Sequence, residues 1–401
     1  MRLAILTQYY PPEMGAPQAR LSELARYFST RGHEVHVLTA MPNYPQGKIF
    51  PGYGGLFRKE EQDGISVIRT WIYPTKSPNL IKRLMSYLSF TISSLWGGIF
   101  ALPRVDFLVT ETPPLFLGIS GWLLSKIKRA QWIMNVSDLW PDSAKYVGMM
   151  SDRSFAYRAL ECLANFLYRK AWLVTGQSRE IVSEVQRHVP SVRVHHLSNG
   201  ADTGLFSPLK KTGEIRHRYL KNGEIGFVYA GLHGLFQGLE QILVAAGRLR
   251  GRPLRFVLVG DGPEKEKLLG KARELDLSNV DFYPPVPHDE MPGILASFDV
   301  AVIPLKSSIR GAVPSKIYEA MASGIPILLM ANGEAGEIVR RAGAGVTAEP
   351  GRIDELIHLV NELAFHGEQR KTMGKAGRQA AESHFDRCKI AQKFEEVLLK
   401  G

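Results

Sequence analysis

The sequence predicts an α/β protein in which two doubly wound parallel sheets, one in each half of the chain, face each other across a cleft. Short apolar runs of strand length alternate with amphipathic segments in both halves, which is typical of parallel sheets covered by helices. The 401 residues are too many for one typical core and enough for two. Gly, Asn and Asp cluster in His196–Phe206, between periodic segments. We therefore expect domains at residues 1–195 and 196–383, and a C-terminal segment at 384–401 that packs back on the first domain.

The first half begins with a βαβ unit. Arg2–Gln8 is an apolar run of strand length, and Glu34–Thr39 is the next one. Between them, Pro17 suits a first helical residue, Gln18–Arg31 carries apolar side chains on one face, and Gly32 can end the helix. Further strands are expected at Phe107–Glu111, Gln131–Val136 and Trp172–Thr175.

The second half repeats this alternation. Helical segments separate the candidate strands, so a second doubly wound sheet is the simplest interpretation. The final stretch, His384–Lys400, has apolar residues at helical spacing and is predicted to be an amphipathic helix. The candidate strands are Ile225–Ala230, Arg255–Val259, Val280–Tyr283, Val300–Pro304, Pro326–Met330 and Gly345–Thr347.

One uncharged segment, Leu84–Pro103, is about long enough to span a bilayer, for which roughly 20 residues are needed. Its leucines and isoleucines recur at helical spacing, whereas its serines lie on another face. This amphipathy favours a helix that packs on the sheet or lies in a membrane interface over one that spans the membrane. Lys82 and Arg83 precede the segment and Arg104 follows it, which suits an interfacial position.

The net charge of +11 is unevenly distributed. Residues 1–195 contain 23 Lys/Arg and 14 Asp/Glu, a balance of +9, and the remainder contains 27 and 25, a balance of +2. A basic half suggests an anionic partner, such as a membrane surface; the alternative is that the excess charge merely keeps the protein soluble. Nucleic acid is disfavoured, because the basic residues form no long cluster and no recognition motif is present.

Cysteine usage and the N-terminus indicate a cytoplasmic protein. Cys162 and Cys388 have no neighbouring His or Cys at ligand spacing, so we interpret them as reduced thiols. The apolar run Leu3–Leu6 is too short for a secretory signal and leads into a Pro/Gly turn. Together with the basic first half, this predicts peripheral contact with the inner membrane from the cytoplasmic side.

Three loops with glycine follow predicted strands. Gly15 lies between the first strand and the first helix, where unpaired N–H groups at a positive helix end suit phosphate. This loop lacks the G-x-G-x-x-G fingerprint, which disfavours a nicotinamide enzyme. Gly231 repeats the arrangement in the second half, and Gly260 follows the next strand. The first two loops, facing one cleft, would hold the diphosphate of a nucleotide-sugar between them; plain tight turns are the alternative.

The most informative motif is Gly311–Pro326 (GAVPSKIYEAMASGIP). Pro314 and Ser315 are expected to start a helix with Ser315 as its cap, so that Lys316 stands at the positive end, beside any bound anion. Glu319 lies one turn on, on the same face, where a carboxylate can accept hydrogen bonds from ribose hydroxyls. A solvated Lys316–Glu319 pair is the alternative.

Asp138, Trp140 and Asp142 follow an apolar strand, at the sheet edge where ligands of open α/β sheets bind. A carboxylate there can hydrogen-bond a sugar or assist an acceptor hydroxyl, and Trp140 can stack on a sugar. Helix capping by either aspartate is the alternative. The sequence contains no Asp-x-Asp pair, so we expect no metal, with helix termini and Lys316 stabilising the leaving diphosphate.

Seven stretches together resemble the family 4 glycosyltransferases, which have the GT-B fold, over nearly the whole chain. They look most like the branch that contains N-acetyl-L-fucosaminyltransferases of bacterial O-antigen and capsule assembly. The resemblance implies an N-terminal Rossmann-like domain for the acceptor and a C-terminal one for the nucleotide-sugar. It also implies retaining, metal-independent transfer, with a UDP-activated N-acetylated deoxy-sugar as the leading donor. The stretches are YYPPEMGAPQARLSELA, MPNYPQGKIFPGY, ETPPLFLG, NVSDLWPDSA, SNGAD, VGDGPE and VPSKIYEAMASGIPI.

The resemblance also implies roles for single residues. Gly15 matches the loop that touches the donor diphosphate, Glu319 the ribose-binding glutamate, and Val286 the backbone that meets the nucleobase. The N–H groups of Ala312 and Val313 match those near the donor sugar and phosphate. The predicted catalytic residues are Asp138, Lys316 and Glu319, and the predicted acceptor-side residues are Glu13, Trp140 and Asp142. The predicted donor-binding residues are Gly15, Ala16, Asn199, Gly231, Gln237, Gly260, Val286, Arg310, Ala312, Val313, Ser315, Lys316 and Glu319.

Three positions depart from the family pattern. Gly311 stands where most members carry a second glutamate, eight residues before the ribose one. Ser137 takes the place of the usual histidine before Asp138, and Gln237 replaces a lysine of the glycine loop. Neutralisation of the phosphates is therefore assigned to Lys316 and Arg310, and recognition of the sugar to Asp138.

The expected acceptor is a polyprenyl-diphosphate-linked saccharide, and two other functions stay open. A sugar-nucleotide 2-epimerase shares the two-domain architecture and would convert a nucleotide-sugar without any acceptor. A non-catalytic subunit that binds a sugar-nucleotide or a lipid is the third possibility, and the missing glutamate at Gly311 favours it slightly.

Overall fold

The structure is a computed structural model that describes residues 1–77, 79–146, 150–208 and 213–400. The chain forms two compact units. Unit 1 contains Met1–Ser198 and the residues from Ala391 onward, and unit 2 contains Asn199–Ile390. Each unit is built on one sheet.

Within the described residues, unit 1 has an eight-stranded sheet in the order β3-β4-β2-β1-β5-β6-β7-β8. Neighbouring strands are parallel except for the antiparallel pair β3 and β4. The strands are β1 (Arg2–Leu6), β2 (Glu34–Ala40), β3 (Phe57–Gln62), β4 (Ile65–Thr70), β5 (Phe107–Thr112), β6 (Gln131–Val136), β7 (Leu173–Gly176) and β8 (Val194–His196). The helices are α1 (Ala16–Thr30), α2 (Leu80–Ala101), α3 (Leu117–Lys128), α4 (Asp142–Tyr146), α5 (Phe155–Lys170) and α6 (Arg179–His188).

The predicted βαβ unit at the start of the chain is confirmed. Strands β1 and β2 are parallel neighbours, with Leu3 opposite Val35, and α1 connects them. The central strands are buried along most of their length because helices cover both faces, so their sequences are continuous apolar runs. Since these strands are parallel, the loops that follow them all lie at the carboxyl edge of the sheet.

The sequence analysis missed β3, β4 and β8, and the reason is identifiable for β3 and β8. Strand β3 has the sequence FRKEEQ and is largely exposed, because it forms the sheet edge in a hairpin with β4. It therefore shows no apolar alternation, and charges are typical of such an edge. Strand β8 has three half-buried residues, which is too short for a recognisable pattern.

Helix α2 packs mostly small side chains against the protein and turns large apolar ones outward. Its buried residues are Ser86, Phe90, Thr91, Ser94 and Gly98. A Cβ at Gly98 would lie 2.6 Å from Leu124 Cδ1, so glycine is needed there. This is the reverse of an ordinary surface helix. The exposed large residues are Leu80, Ile81, Leu84, Met85, Leu88, Ile92, Trp96 and Phe100.

The helix expected in the uncharged segment is confirmed, although it begins four residues earlier than that segment. Among the described residues, α2 is long and apolar enough to cross a membrane, a criterion of length and composition alone. The same criterion admits core helices of soluble proteins, so the inverted pattern of burial, rather than hydropathy, is the informative property of α2.

Within its described residues, unit 2 has a six-stranded, fully parallel sheet in the order β11-β10-β9-β12-β13-β14. The strands are β9 (Ile225–Ala230), β10 (Leu254–Val259), β11 (Val280–Tyr283), β12 (Val300–Pro304), β13 (Ile327–Met330) and β14 (Gly345–Ala348). The helices are α7 (Gly213–Tyr219), α8 (Glu240–Arg248), α9 (Lys265–Glu274), α10 (Met291–Ser297), α11 (Lys316–Ala322), α12 (Gly333–Arg341), α13 (Ile353–Phe365) and α14 (Gly367–Ala380).

The six strands predicted for the second half are confirmed to within one residue at each end. Neighbouring residues of β9 face opposite cores: Val228 belongs to one apolar cluster, and Phe227 and Tyr229 belong to another. Two cores on the two faces of one parallel sheet are the defining property of a doubly wound domain. The second predicted sheet is therefore present as expected.

The C-terminal helix α15 (Arg387–Leu399) follows a π-helical turn at Ala381–Phe385, so it begins three residues later than predicted. From Ala391 onward it belongs to unit 1. Phe394 is fully buried there, with its ring centroid 6.2 Å from that of Phe28 in α1. The last residue of the predicted segment, Gly401, lies outside the described residues.

Phe394→Ala should lower the free energy of unfolding by about 3–5 kcal/mol, because it leaves a cavity between α15 and α1. Leu399→Ala is the matched control in the same helix: its side chain is 66% exposed, so the effect should stay within about 0.5 kcal/mol. Urea denaturation followed by circular dichroism measures both. Equal effects for the two variants would contradict the packing described for α15.

Candidate functional site

Two glycine loops touch at the carboxyl edge of the unit 2 sheet. Gly231 follows β9 with a φ of 138°, and Gly260 follows β10 with a φ of 143°. A Cβ on Gly260 would lie 1.9 Å from the carbonyl oxygen of Gly231. Only glycine permits this approach, so the predicted glycine turns at both positions are confirmed.

Lys316, the first residue of α11, extends across the Gly231 loop. A Cβ at Gly231 would lie 2.7 Å from the Nζ atom of Lys316, and this atom is 5.4 Å from the ring centroid of Tyr229. Burial lowers the pKa of Lys316, and the nearby Glu319 carboxylate acts in the opposite direction. Within the described part of the chain, Lys316 forms no ion pair. A desolvated ammonium group without a counter-ion favours the binding of an anion.

The predicted cap at the start of α11 is wrong. Ser315 occupies the cap position, but its backbone is helical (φ −59°, ψ −27°) and its side chain makes no capping hydrogen bond. The N–H groups of Ile317 and Tyr318 donate instead to the carbonyls of Pro314 and Ser315. An anion at this point would therefore meet the ammonium of Lys316 rather than the N–H groups of Ile317 and Tyr318.

Glu319 lies one turn after Lys316 and is half-buried. Its backbone carbonyl accepts a hydrogen bond from the Ser323 N–H at 2.9 Å, near the end of α11. Gly324 follows with a φ of 67°, as expected for the residue that ends this helix. The geometry keeps Lys316 and Glu319 on one side of α11, which is the arrangement the sequence predicted.

One of the predicted donor contacts in the Gly311 segment, the N–H of Ala312, is already used by the fold. The N–H of Ala312 donates to the Ile309 carbonyl at 3.0 Å, so its predicted contact with the donor requires that bond to break. The side chain of Val313 is 4% exposed and belongs to the apolar core, and the predicted donor contact of its backbone N–H stays a prediction. Arg310 is exposed at the surface of unit 2.

Three further donor predictions lie elsewhere in unit 2. The Oε1 atom of Gln237 lies 3.3 Å from the Tyr229 hydroxyl. Val286 is half-buried against the core, and the Asn199 carbonyl accepts a hydrogen bond from Arg387 Nε at 3.0 Å. No comparison tests their contact with a donor, so these roles stay predictions.

In unit 1, Gly15 is the residue before α1 and has an extended backbone with φ 163° and ψ 170°. No side chain caps this helix, and both Gly15 and Ala16 are exposed. The loop before it is fixed by Glu13, whose carboxylate accepts the N–H groups of Asn43 and Tyr44, each at 2.8 Å. Glu13 is only 3% exposed and supports this loop, and its predicted contact with the acceptor stays a prediction.

Asp138 lies in the loop after β6, at the carboxyl edge of the unit 1 sheet. Burial raises the pKa of its carboxyl to about 6, and the neighbouring donors of Ser143, Leu139 and Trp140 act in the opposite direction. A carboxyl group with a pKa near neutrality can both accept and return a proton at physiological pH.

The two other acceptor-side candidates pack into unit 1. Trp140 is half-buried against the apolar core, which limits the ring surface available for a sugar. Asp142 begins α4, and its carboxylate accepts a hydrogen bond from the Tyr157 hydroxyl. Their contact with an acceptor stays a prediction.

Two protein families match the chain, one in each unit. Residues 15–200 match the family described as "Glycosyl transferase 4-like domain", and residues 213–380 match "Glycosyl transferases group 1". The putative colanic acid biosynthesis glycosyl transferase WcaI of Escherichia coli (strain K12) is 26% identical over 409 residues, which cover 98% of each chain.

Solved structures with the same fold include two that match over the full length. Sucrose-phosphate synthase from Thermosynechococcus elongatus superposes with a TM-score of 0.80 at 18% identity, covering 100% of this chain and 98% of the other. Anabaena HepE, solved in complex with UDP and glucose, gives a TM-score of 0.75 at 19% identity and covers 100% of both. The chain is a glycosyltransferase with the GT-B fold. The fucosaminyltransferase branch stays a prediction.

The sequence analysis of this glycosyltransferase missed a buried polar network beneath Asp138. One guanidinium nitrogen of Arg20 lies 2.7 Å from Glu111 Oε1 and 2.9 Å from Ser137 Oγ. The Asn135 side chain donates to the other Glu111 oxygen at 2.5 Å. Arg20 and Glu111 are 7% and 4% exposed, so the network fixes the loop that carries Asp138. The sequence feature that could have revealed this network is the presence of polar residues at the ends of two successive strands.

His233, in the glycine loop of unit 2, was also missed. It is fully buried, with its ring centroid 5.9 Å from that of Tyr229. Burial lowers the pKa of His233 to about 4, Lys265 and Lys316 lower it further, and Asp261 acts in the opposite direction. The imidazole therefore stays neutral beneath the loop of the glycosyltransferase at physiological pH.

Asp142, Glu184 and His188 form a cluster in unit 1, with one ligand-type atom from each within 4.8 Å of the others. The Arg187 guanidinium already pairs with Glu184, and the Tyr157 hydroxyl donates to Asp142. Because these protein donors already engage Asp142 and one oxygen of Glu184, we assign no metal to the cluster. Metal-independent transfer stays a prediction for this glycosyltransferase.

Asp138→Asn should change the pH dependence of stability. The folded pKa of Asp138, about 6, lies above its ordinary value of 3.8. The wild type therefore loses stability relative to the variant as pH rises from about 4 to 6, and the difference is constant above that. Melting temperatures of both proteins between about pH 3 and pH 8 measure this difference.

Asp106→Asn is a control of opposite sign. Hydrogen bonds from Arg2 lower the pKa of Asp106, so this variant should be less stable than the wild type above pH 4, and the loss should fade at lower pH. The same pH trend in both variants would contradict the buried position of Asp138.

Proposed function

We propose that this glycosyltransferase moves a sugar from a UDP donor to a polyprenyl-diphosphate-linked saccharide during assembly of a bacterial surface polysaccharide. The observation that carries the proposal is the ammonium of Lys316, packed against Gly231 at the carboxyl edge of the unit 2 sheet without an ion-pair partner among the described residues. A nucleoside diphosphate supplies the anionic charge that this position lacks.

Two comparisons support the choice of donor and pathway. HepE of Anabaena has the same fold and was solved with UDP and with UDP-glucose. WcaI of Escherichia coli, named for colanic acid biosynthesis, aligns over 98% of this chain. The motif NVSDLWPDSA, which resembles the fucosaminyltransferase branch, supports an N-acetylated deoxy-sugar as the transferred group.

The proposed mechanism is a transfer with retention of configuration. The bond between the anomeric carbon and the leaving phosphate oxygen breaks, and the acceptor oxygen bonds to the same face of that carbon. The departing phosphate oxygen takes the acceptor proton. Lys316 stabilises the negative charge on the diphosphate, Glu319 accepts hydrogen bonds from the ribose, and Asp138 acts on the sugar side.

Peripheral contact with the cytoplasmic face of the membrane is part of this proposal. The outward stripe of α2 contains Ile92, Trp96 and Phe100, which are 59%, 58% and 80% exposed. No Asp or Glu occurs between Asp63 and Asp106, whereas Lys and Arg flank the helix at both ends. An apolar face bordered by cations suits the interface of an anionic membrane.

Lys316→Ala should raise the dissociation constant of UDP roughly 10- to 100-fold, because a desolvated charge-assisted contact is lost. Lys306→Ala, an exposed lysine of the same unit, is the control and should leave the constant within about twofold. Isothermal titration calorimetry measures both values. Near-normal affinity in the Lys316 variant would eliminate its role at the phosphates.

Turnover separates the remaining functions. Incubation with UDP-N-acetyl sugars and a lipid-linked acceptor should give an α-linked product from an α-linked donor, read by nuclear magnetic resonance. A changed nucleotide-sugar in the absence of acceptor would identify a 2-epimerase. Donor binding without turnover under any acceptor would identify a non-catalytic subunit.

Replacement of both Ile92 and Trp96 by Glu should abolish flotation with vesicles of phosphatidylcholine and phosphatidylglycerol, since two apolar anchors become charged. Phe155→Glu is the control, because Phe155 is 87% exposed and lies at the start of α5. Wild-type binding should weaken as salt rises. Equal flotation of the two variants would contradict contact through α2.

A further inference from the structure

Three tyrosines and one arginine gather at the carboxyl edge of the unit 1 sheet: Tyr9, Tyr44, Tyr87 and Arg83, which we call the tyrosine cluster. The ring centroids of Tyr9 and Tyr44 are 5.5 Å apart in an edge-to-face arrangement. The Tyr87 hydroxyl accepts a hydrogen bond from an Arg83 guanidinium nitrogen at 3.1 Å. Burial raises the pKa of Tyr9. The charges of Tyr87 and Tyr44 raise this pKa further, and the charge of Arg83 lowers it. Its hydroxyl therefore stays protonated and able to donate.

Separate parts of the chain build the tyrosine cluster. Tyr9 follows β1, and Tyr44 follows β2 in the loop that the Glu13 carboxylate holds through the Tyr44 N–H. Arg83 and Tyr87 lie near the start of α2. The Ser89 hydroxyl of α2 accepts a hydrogen bond from the Tyr73 N–H at 2.8 Å and fixes the helix there.

The guanidinium of Arg83 has binding capacity left. It is half-buried, and its hydrogen bond within the described residues goes to a neutral phenol, with no carboxylate partner. The nearby carboxylate, Glu13, is already engaged by three backbone N–H groups. A guanidinium carries five N–H donors in a planar fork, which matches the oxygens of a phosphate.

We propose that the tyrosine cluster binds the head group of the lipid-linked acceptor, with Arg83 on its diphosphate and the rings and hydroxyls of Tyr9 and Tyr44 on its first sugar. This inference rests on the proposed function and deepens it. An aromatic ring offers an apolar face to a sugar, and a phenol offers a hydrogen bond.

The outward stripe of α2 completes the match to an amphiphile. It runs directly past Arg83, with Leu84 and Leu88 each 38% exposed. An isoprenoid chain leaving a diphosphate at Arg83 therefore meets an apolar surface at once. The cation and the exposed apolar residues are therefore neighbours on one helix, as the diphosphate and the hydrocarbon are neighbours in such an acceptor.

The test uses farnesyl diphosphate as the probe on the full-length protein, with binding read by tryptophan fluorescence. Arg83→Gln should weaken binding at least tenfold, and Arg83→Lys should weaken it less, because a lysine keeps the charge but not the fork. Lys82→Gln removes the same charge from the adjacent exposed residue and should change binding no more than about twofold. Farnesol should bind all of these proteins equally.

Competition distinguishes the sources of phosphate. Inorganic pyrophosphate should compete with farnesyl diphosphate, and vesicles of phosphatidylglycerol should bind the Arg83 and Lys82 variants equally. Tyr9→Phe and Tyr44→Phe should raise the KM for a saccharide-bearing acceptor without raising the KM for the donor. These results support the proposed head-group site.

Equal losses of farnesyl diphosphate binding in the Arg83→Gln and Lys82→Gln variants would overturn the proposal, as would a loss by Arg83→Gln that is confined to vesicle binding. Circular dichroism shows whether the variants fold. UDP affinity separates this inference from the proposed function: it should be unchanged in Arg83→Gln. Wild-type protein that binds farnesyl diphosphate through Arg83 but neither UDP nor its sugars would contradict the proposed donor, not the head-group site.

Discussion

The unit 2 site depends on the absence of a side chain at Gly231. A Cβ there would lie 2.4 Å from Lys316 Cε, so any other residue would displace the ammonium from the strand end. Gly260 permits the second loop to meet the first in the same way. The ammonium of Lys316 can therefore occupy this position only because the two glycines carry no side chains. Because this desolvated charge has no counter-ion among the described residues, this edge of the sheet suits a diphosphate.

In unit 1, helix α2 has an inverted distribution of polar and apolar side chains. Helix α2 places serines and glycine against the sheet, where the close approach at Gly98 gives tight packing, and it exposes its bulky residues instead. Such exposure is unfavourable in water and favourable at a membrane surface. The same helix carries Arg83 and Tyr87 into the tyrosine cluster, so one element joins the proposed membrane contact to the proposed acceptor head group.

Prediction succeeded where local pattern decides structure. Most of the buried strands of the two sheets are continuous apolar runs and were located closely, although β4 was missed; the charged edge strand β3 was also missed, because an edge needs no apolar alternation. The cap assigned to Ser315 failed because the backbone there is already helical. Glu13 was assigned to the acceptor, but its carboxylate accepts three backbone N–H groups, two of them from Asn43 and Tyr44 about 30 residues away.

The alternation of strands and helices, the glycine turns and the glycosyltransferase motifs can be read from the chain, because periodicity and turn chemistry are local properties. The burial of side chains, their interaction partners and their protonation states are determined only by the folded structure. Arg20 and Glu111 are 91 residues apart in sequence and 2.7 Å apart in space, and the pKa of about 6 at Asp138 arises from the core that surrounds it. Such properties depend on which distant residues become neighbours, which no local pattern specifies.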